Sequence, residues 1–304
     1  MEFLELLAQI RTPWLDKIML AITYLGSEIA FLVVALVIFW CVDKKKGYYI
    51  LSVGFVGTIL NQFMKLWFRI PRPWYLKPDF SPVEAAKADA GGYSFPSGHT
   101  QNSVGTFGGI AYVVKDKAIR YVSVALVILV PFSRMYLGVH TPADVLVSVA
   151  VAMALILILR PIVLNNDGKY FPYVIAGMLL LGIAYLLFTE LYPFPADVQA
   201  ENLHEGKKNA YTLLGCILGL LPAYYADRKW IRFSTKAVWW VQILKVALGL
   251  GLVLAIKSGL SSPLTTLFGE FPGRCIRYFL MVVFAGLFWP MTFPYWCKLG
   301  RKVR

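Results

Sequence analysis

The sequence predicts an all-α fold, a polytopic transmembrane helical bundle, and three observations lead there. Of the 304 residues, 58% are hydrophobic and only 15% are charged, where soluble domains carry roughly 45–50% and 25%. Apolar runs of about 20 residues, long enough to cross a bilayer as helix, recur along the chain. Polar or glycine-proline breaks separate them. The net charge of +13 raises nucleic acid as a partner, but the basic residues fall in short clusters between apolar runs and not on one soluble module. Bilayer topology explains them better, and no nucleic-acid partner is expected. Cys41, Cys216, Cys275 and Cys297 sit in or beside apolar segments without paired spacing, which suits packing and not a zinc site or a disulfide framework.

Taken in order, the first ten residues lack the basic leader and small-residue cleavage site of a signal peptide. Phe3, Leu6, Leu7 and Ile10 fall on one helical face, as expected of a helix lying in the membrane interface. Nine spans follow, near 28–43, 48–66, 98–115, 120–138, 142–160, 171–190, 209–226, 237–257 and 277–297. Glu28 is the sole charge between Met19 and Trp40, so the first crossing has a start before or after Gly26. Trp67, Trp74, Trp239, Trp240, Trp289 and Trp296 lie near span ends, where an interfacial belt forms. Lys245 within the eighth span and Glu190 at the end of the sixth are expensive in hydrocarbon and are expected to face inward.

Alternating the connections places Lys44-Lys45-Lys46, then Lys115, Lys117 and Arg120, then Arg160 and Lys169, on one side of the membrane. The same side receives Arg228, Lys229, Arg232 and Lys236, and finally Lys298, Arg301, Lys302 and Arg304. By the positive-inside rule that side is cytoplasmic, and loop 67–97 lies outside. Lys65, Arg69, Arg72 and Arg134 then fall on the disfavoured side and need a chemical reason.

Lys65, Arg72-Pro73, Pro96-Ser97-Gly98-His99, Ser133-Arg134, His140 and Asp144 occupy four span ends on that outer face. A lysine and two arginines provide the charge and forked donors that a phosphate dianion needs. Ser97-Gly98 precedes a helix whose first amides are unpaired and can join the same cradle; Ser97 also suits an N-cap. Of two histidines, one can attack phosphorus as a neutral imidazole while the other protonates the departing alkoxide. Asp144 separates the roles. It stands four residues after His140 at the start of a helix opened by Thr141-Pro142, so it can orient that imidazole while also completing a capping box with Thr141. His140 is therefore expected to be the nucleophile and His99 the general acid. Arg69 and Lys77 read as interfacial side chains, and His204 as a solvated residue of the loop after the sixth span.

These segments resemble the three ordered motifs of the type 2 phosphatidic acid phosphatase, or lipid phosphate phosphatase, superfamily, and every motif position is filled. The resemblance implies a metal-independent phosphomonoester or pyrophosphate hydrolase with a six-span helical core, in which Lys65, Arg72, Ser97, Gly98 and Arg134 bind phosphate and His140 is the nucleophile. It covers residues 1–190, interfacial helix included; residues 191–304 then form an accessory region of about three spans. The expected protein is an integral enzyme of a bacterial cytoplasmic membrane, with its site facing outward. Its partners are a lipid phosphate or pyrophosphate and the membrane, with no cofactor and no metal. Two rivals remain at this level: a lipid phosphotransferase using the same intermediate, and a lipid-phosphate transporter or flippase, which would not need two histidines and Asp144. The lipid, and the oligomeric state, are not encoded in any motif.

Overall fold

The computed structural model describes residues 1–88, 90–165 and 168–301; Lys302 and Arg304 of the expected C-terminal basic cluster lie outside the described residues. Every regular element among the described residues is a helix. The chain packs as two units interleaved in sequence. The first comprises Met1–Val34, Tyr49–Pro161 and Pro193–Gly206; the second comprises Ala35–Tyr48, Ile162–Tyr192 and the chain from Lys207 onward.

In the first unit, α1 (Glu2–Gln9) and α2 (Pro13–Tyr24) both pack on α9 (Lys117–Tyr136). Pro13 at the first position of α2 uses an amide site that would have no helical partner anyway. Leu4 and Leu7 turn inward while Phe3, Leu6 and Ile10 stay exposed, so α1 splits its apolar residues between a docked face and an outward one. Complete burial of a leucine such as Leu4 stabilises by about 1.5–3 kcal/mol. Leu7 joins Ala86, Ala90, Tyr136, Leu137 and Val139 in one cluster, with Leu15, Met19 and Trp74 packed around it. Polar bonds lock the same corner: Arg11 Nε donates to the Tyr136 carbonyl (2.9 Å), and the Tyr136 hydroxyl donates to Asp16 (2.8 Å).

Next come α3 (Glu28–Val37), extended by a π turn at Ile38–Val42, and α4 (Lys44–Phe68). Short helices α5 (Pro73–Leu76) and α6 (Glu84–Ala88) lie in the following connection. Helices α7 (Gly98–Ser103) and α8 (Gly109–Val113) are joined through a π turn at Val104–Gly108. Both pack on α9. The region ends with α10 (Pro142–Leu164), tied to α4 where the Tyr49 hydroxyl donates to the Ile156 carbonyl at 3.0 Å.

The second unit contains α11 (Phe171–Leu191), most of α12 (Ala200–Ala226), α13 (Trp239–Gly259), α14 (Ser261–Phe268), α15 (Glu270–Val283), α16 (Trp289–Met291) and α17 (Phe293–Arg301). Glycines at 215 and 219 bring α12 against α15, since a Cβ at either would run into the carbonyl of Cys275 or Phe279. Such small-residue contacts let membrane helices approach closely. Lys245 is buried, as its position in an apolar span required. Its ammonium donates to the Trp40 carbonyl and to Gln242 Oε1, each at 3.0 Å, and lies 4.1 Å from the centre of the Phe293 ring. The Trp40 carbonyl belongs to the π turn at Ile38–Val42, where the i→i−4 bonding pattern is broken. Trp289 departs from the expected interfacial belt: it is buried, and its indole N–H donates to the Lys245 carbonyl at 3.1 Å. Trp67 and Trp239 are exposed as a belt requires.

Among the described residues, six helical stretches are long and apolar enough to cross a membrane: Lys44–Leu76, Lys117–Tyr136, Pro142–Leu164, Phe171–Leu191, Trp239–Phe268 and Glu270–Lys298. A seventh counts if Pro13–Tyr24 and Glu28–Val42, bent by 51°, act together. The other two expected spans are helical but fall outside that measure. Gly98–Val113 begins with the polar run Gly-His-Thr-Gln-Asn-Ser, and Ala200–Ala226 carries Glu201, Glu205, Lys207 and Lys208 in its first half.

Candidate active site

His140 stands on a sharp reversal between α9 and α10. Gly138 makes the turn at φ +77°, and a Cβ there would lie 2.6 Å from Arg11 Nη2 and 2.9 Å from the Phe80 ring. Only glycine meets both the left-handed backbone and the lack of space. The imidazole that follows is buried. Its Nε2 lies 2.9 Å from Arg72 Nη1, and its Nδ1 lies 3.4 Å from Asp144 Oδ2. A guanidinium only donates, so Nε2 carries the lone pair and the proton sits on Nδ1, facing the carboxylate.

Asp144 is held mainly by two short bonds to the same oxygen, from the Thr141 amide (2.7 Å) and from Ser94 Oγ (2.6 Å). The Asp144 amide donates in return to Thr141 Oγ1 at 3.4 Å. One carboxylate thus caps α10 and faces the imidazole. Ser94 is fully buried, with its hydroxyl 3.5 Å from His140 Nδ1. Sequence reasoning missed it, because a lone serine in a connection has no periodicity or charge to mark it.

Arg72 makes three further bonds, to the carbonyls of Gly91 (2.6 Å), Gly92 (3.0 Å) and Val139 (3.0 Å). The Lys65 ammonium donates to the Tyr93 carbonyl, and buried Arg134 donates to Thr23 Oγ1 at 2.9 Å. The site opens on α7, where Ser97 Oγ accepts the Thr100 amide (3.3 Å) as an N-cap. The Ser97 amide donates to the Asp144 carbonyl at 3.2 Å, and Ser148 Oγ donates to the carbonyls of both Ser97 and Asp144 at 2.9 Å. The starts of α7 and α10 are therefore clasped, which brings Gly98 and half-buried His99 beside the His140 turn.

Burial holds the His140 imidazole well below its ordinary range, and the positive fields of Arg72, Arg134, Lys65 and His99 act in the same direction. Of the positions expected from sequence, Arg72 and Asp144 thus flank His140 directly, and Lys65, Arg134 and His99 lie near enough to act on its charge. Ser97-Gly98 is joined to the start of α10 through the Asp144 carbonyl. Arg69 does not join them. It adopts a left-handed conformation (φ 52°) after α4 and donates to the Leu66 and Trp67 carbonyls, closing the helix end in the manner of a C-cap. Lys77 pairs with Glu5 at 2.7 Å on the surface. His204 is a half-buried residue within α12, not a loop residue as expected: the helix begins at Ala200.

A helical membrane protein with a histidine–aspartate pair set among three cations has the make-up of a phosphate-processing membrane enzyme. The family model of the PAP2 superfamily matches residues 45–167, and that of the PAP2 superfamily phosphatase, transmembrane extension, matches residues 211–301. Phosphatidylglycerophosphatase B of Bacillus subtilis is 33% identical over 165 residues, covering 50% of this chain and 76% of the relative. Undecaprenyl-diphosphatase BcrC of the same organism is 32% identical over 141 residues, covering 46% and 70%. Sphingosine-1-phosphate phosphatase 1 of Mus musculus is 27% identical over 278 residues, covering 84% and 62%. The chain belongs to the PAP2 superfamily, and it is a membrane lipid phosphatase.

Proposed function

We propose that the enzyme hydrolyses a lipid phosphomonoester or diphosphate through a phosphohistidine on His140 Nε2, without a metal. The observation that carries this reading is the 2.9 Å approach of Arg72 Nη1 to His140 Nε2 with Asp144 on the opposite ring nitrogen. A phosphate held by Arg72, Lys65, Arg134, the Ser97 hydroxyl and the Gly98 amide would present phosphorus to the Nε2 lone pair, the Ser97 amide being taken by the Asp144 carbonyl. The P–O ester bond breaks as the P–N bond forms, and His99, protonated once the bound phosphate dianion offsets the surrounding cations, delivers a proton to the departing oxygen. Neutral His99 then takes a proton from water, whose oxygen attacks phosphorus and expels neutral His140. Asp144 stabilises the imidazolium between the two steps. The three cations provide the charge that a divalent metal would otherwise bring, and they would repel one.

Residues 1–190 form the catalytic region in this reading and 191–304 an accessory one, in keeping with the separate family matches at 45–167 and 211–301. Basic clusters between the spans favour a bacterial cytoplasmic membrane with the site facing outward. The names of the relatives support phosphatidylglycerophosphate, undecaprenyl diphosphate and sphingosine 1-phosphate as substrates to try. Rapid quenching with a 32P-labelled lipid phosphate should leave acid-labile, alkali-stable label on the wild-type protein. His140→Ala should carry none and should lose at least about a thousandfold in kcat. Turnover by that variant at the wild-type rate would remove His140 from the mechanism.

A further inference from the structure

Beside the catalytic cluster lies a second polar feature that phosphate chemistry does not use. Thr58, Asn61 and Gln62 recur on one face of α4, and Gly98, Gln101 and Asn102 on one face of α7, by the spacing of three and four residues. With Glu28 at the start of α3, they enclose a space of about 20 Å³. Asn61 and Gln101 are each only 2% exposed. Among the described residues, none of their four amide atoms has a hydrogen-bond partner. Two carboxamides left unpaired in a membrane-embedded unit are costly, and a space of this size holds one water-sized group.

The cleft adjoins the catalytic cluster. Asn61 lies one helical turn from Lys65, and its Oδ1 is 3.7 Å from where a Cβ on Gly98 would stand. We infer that this cleft is a substrate subsite for a hydroxyl or amine carried on the carbon next to the phosphorylated one, with a water in its place before the lipid binds. The inference rests on the reading that Lys65 and Gly98 hold the phosphate. Asn61 and Gln101 offer both donors and acceptors, so they can bond a hydroxyl as donor and acceptor at once, and the Glu28 carboxylate favours a donor or an ammonium. The substrates selected are lipid phosphates of the vicinal hydroxy or amino class. A polyprenyl phosphate has no such group and would leave the amides unpaired.

The test compares sphinganine 1-phosphate with octadecyl phosphate, which has the same chain length and neither amine nor hydroxyl, in wild type, Asn61→Leu and Gln101→Leu. Wild type should favour sphinganine 1-phosphate by about tenfold or more in kcat/KM. Both variants should bring the ratio towards one by losing activity on sphinganine 1-phosphate alone. A wild-type ratio near one, or an equal fall on both substrates in a folded variant, overturns the subsite. The wild-type ratio decides the matter even where a variant fails to fold. Absence of turnover on either lipid by wild type would instead count against the phosphate reading itself, and the subsite would fall with it.

Discussion

Arg72 and His140 are bonded side chain to side chain, Nη1 to Nε2 at 2.9 Å, and this contact sets the tautomer of the imidazole. Because the guanidinium has no acceptor, the bond leaves the lone pair on the nitrogen that faces the cationic cluster and the proton on the nitrogen that faces Asp144. The same guanidinium is fixed by carbonyls of Gly91, Gly92 and Val139, so its fork is held in one orientation before any substrate arrives.

Lysine at position 72 keeps the charge but not the fork. Arg72→Lys should reach fewer of the four acceptors and should lower kcat/KM by about 10–100-fold. Steady-state kinetics on a purified lipid phosphate would check it, and a change of less than about twofold would show that charge alone suffices.

Protonation of His140 offers a second measurement. Burial, then the fields of Arg72, Arg134, Lys65 and His99, put its titration below the ordinary imidazole value of 6.5. The sign follows directly: between the folded and the ordinary values the unfolded chain binds the extra proton, so stability rises with pH through that window and is lost as the pH falls. With only three histidines in the chain, 15N-histidine NMR in detergent, assigned with His140→Ala, should show His140 neutral and protonated on Nδ1 at pH 6. An imidazolium at that pH would contradict the electrostatic account.

In the proposed mechanism Ser94 serves as a positioning residue, acting through Asp144. Ser94→Ala removes the 2.6 Å bond to Oδ2 and leaves the cations untouched. It should lower kcat by about tenfold with KM unchanged, and should shift the His140 nitrogen resonances towards a mixture of tautomers. A rise in KM with unaltered resonances would mark the serine as a packing residue only.

Much of this protein can be read from the order of its residues alone. Runs such as 142–160 and 171–190 identify themselves as membrane helices because hydrocarbon admits few unpaired polar groups, and that restriction acts on local composition. The catalytic candidates stand out for the complementary reason: Lys65, Arg72 and Arg134 are charges in places where lipid penalises them, and Asp144 follows His140 by one helical turn. Tertiary structure alone decided what those positions touch. Ser94 meets Asp144, Arg72 meets His140 across 68 residues of chain, and α1 docks on α9 instead of presenting all its apolar residues to the interface. Trp289 is drawn inward to Lys245, and Asn61 is set against Gly98. These contacts join residues remote in sequence, and the energy that selects them comes from close packing and hydrogen-bond geometry, neither of which leaves a periodic trace along the chain.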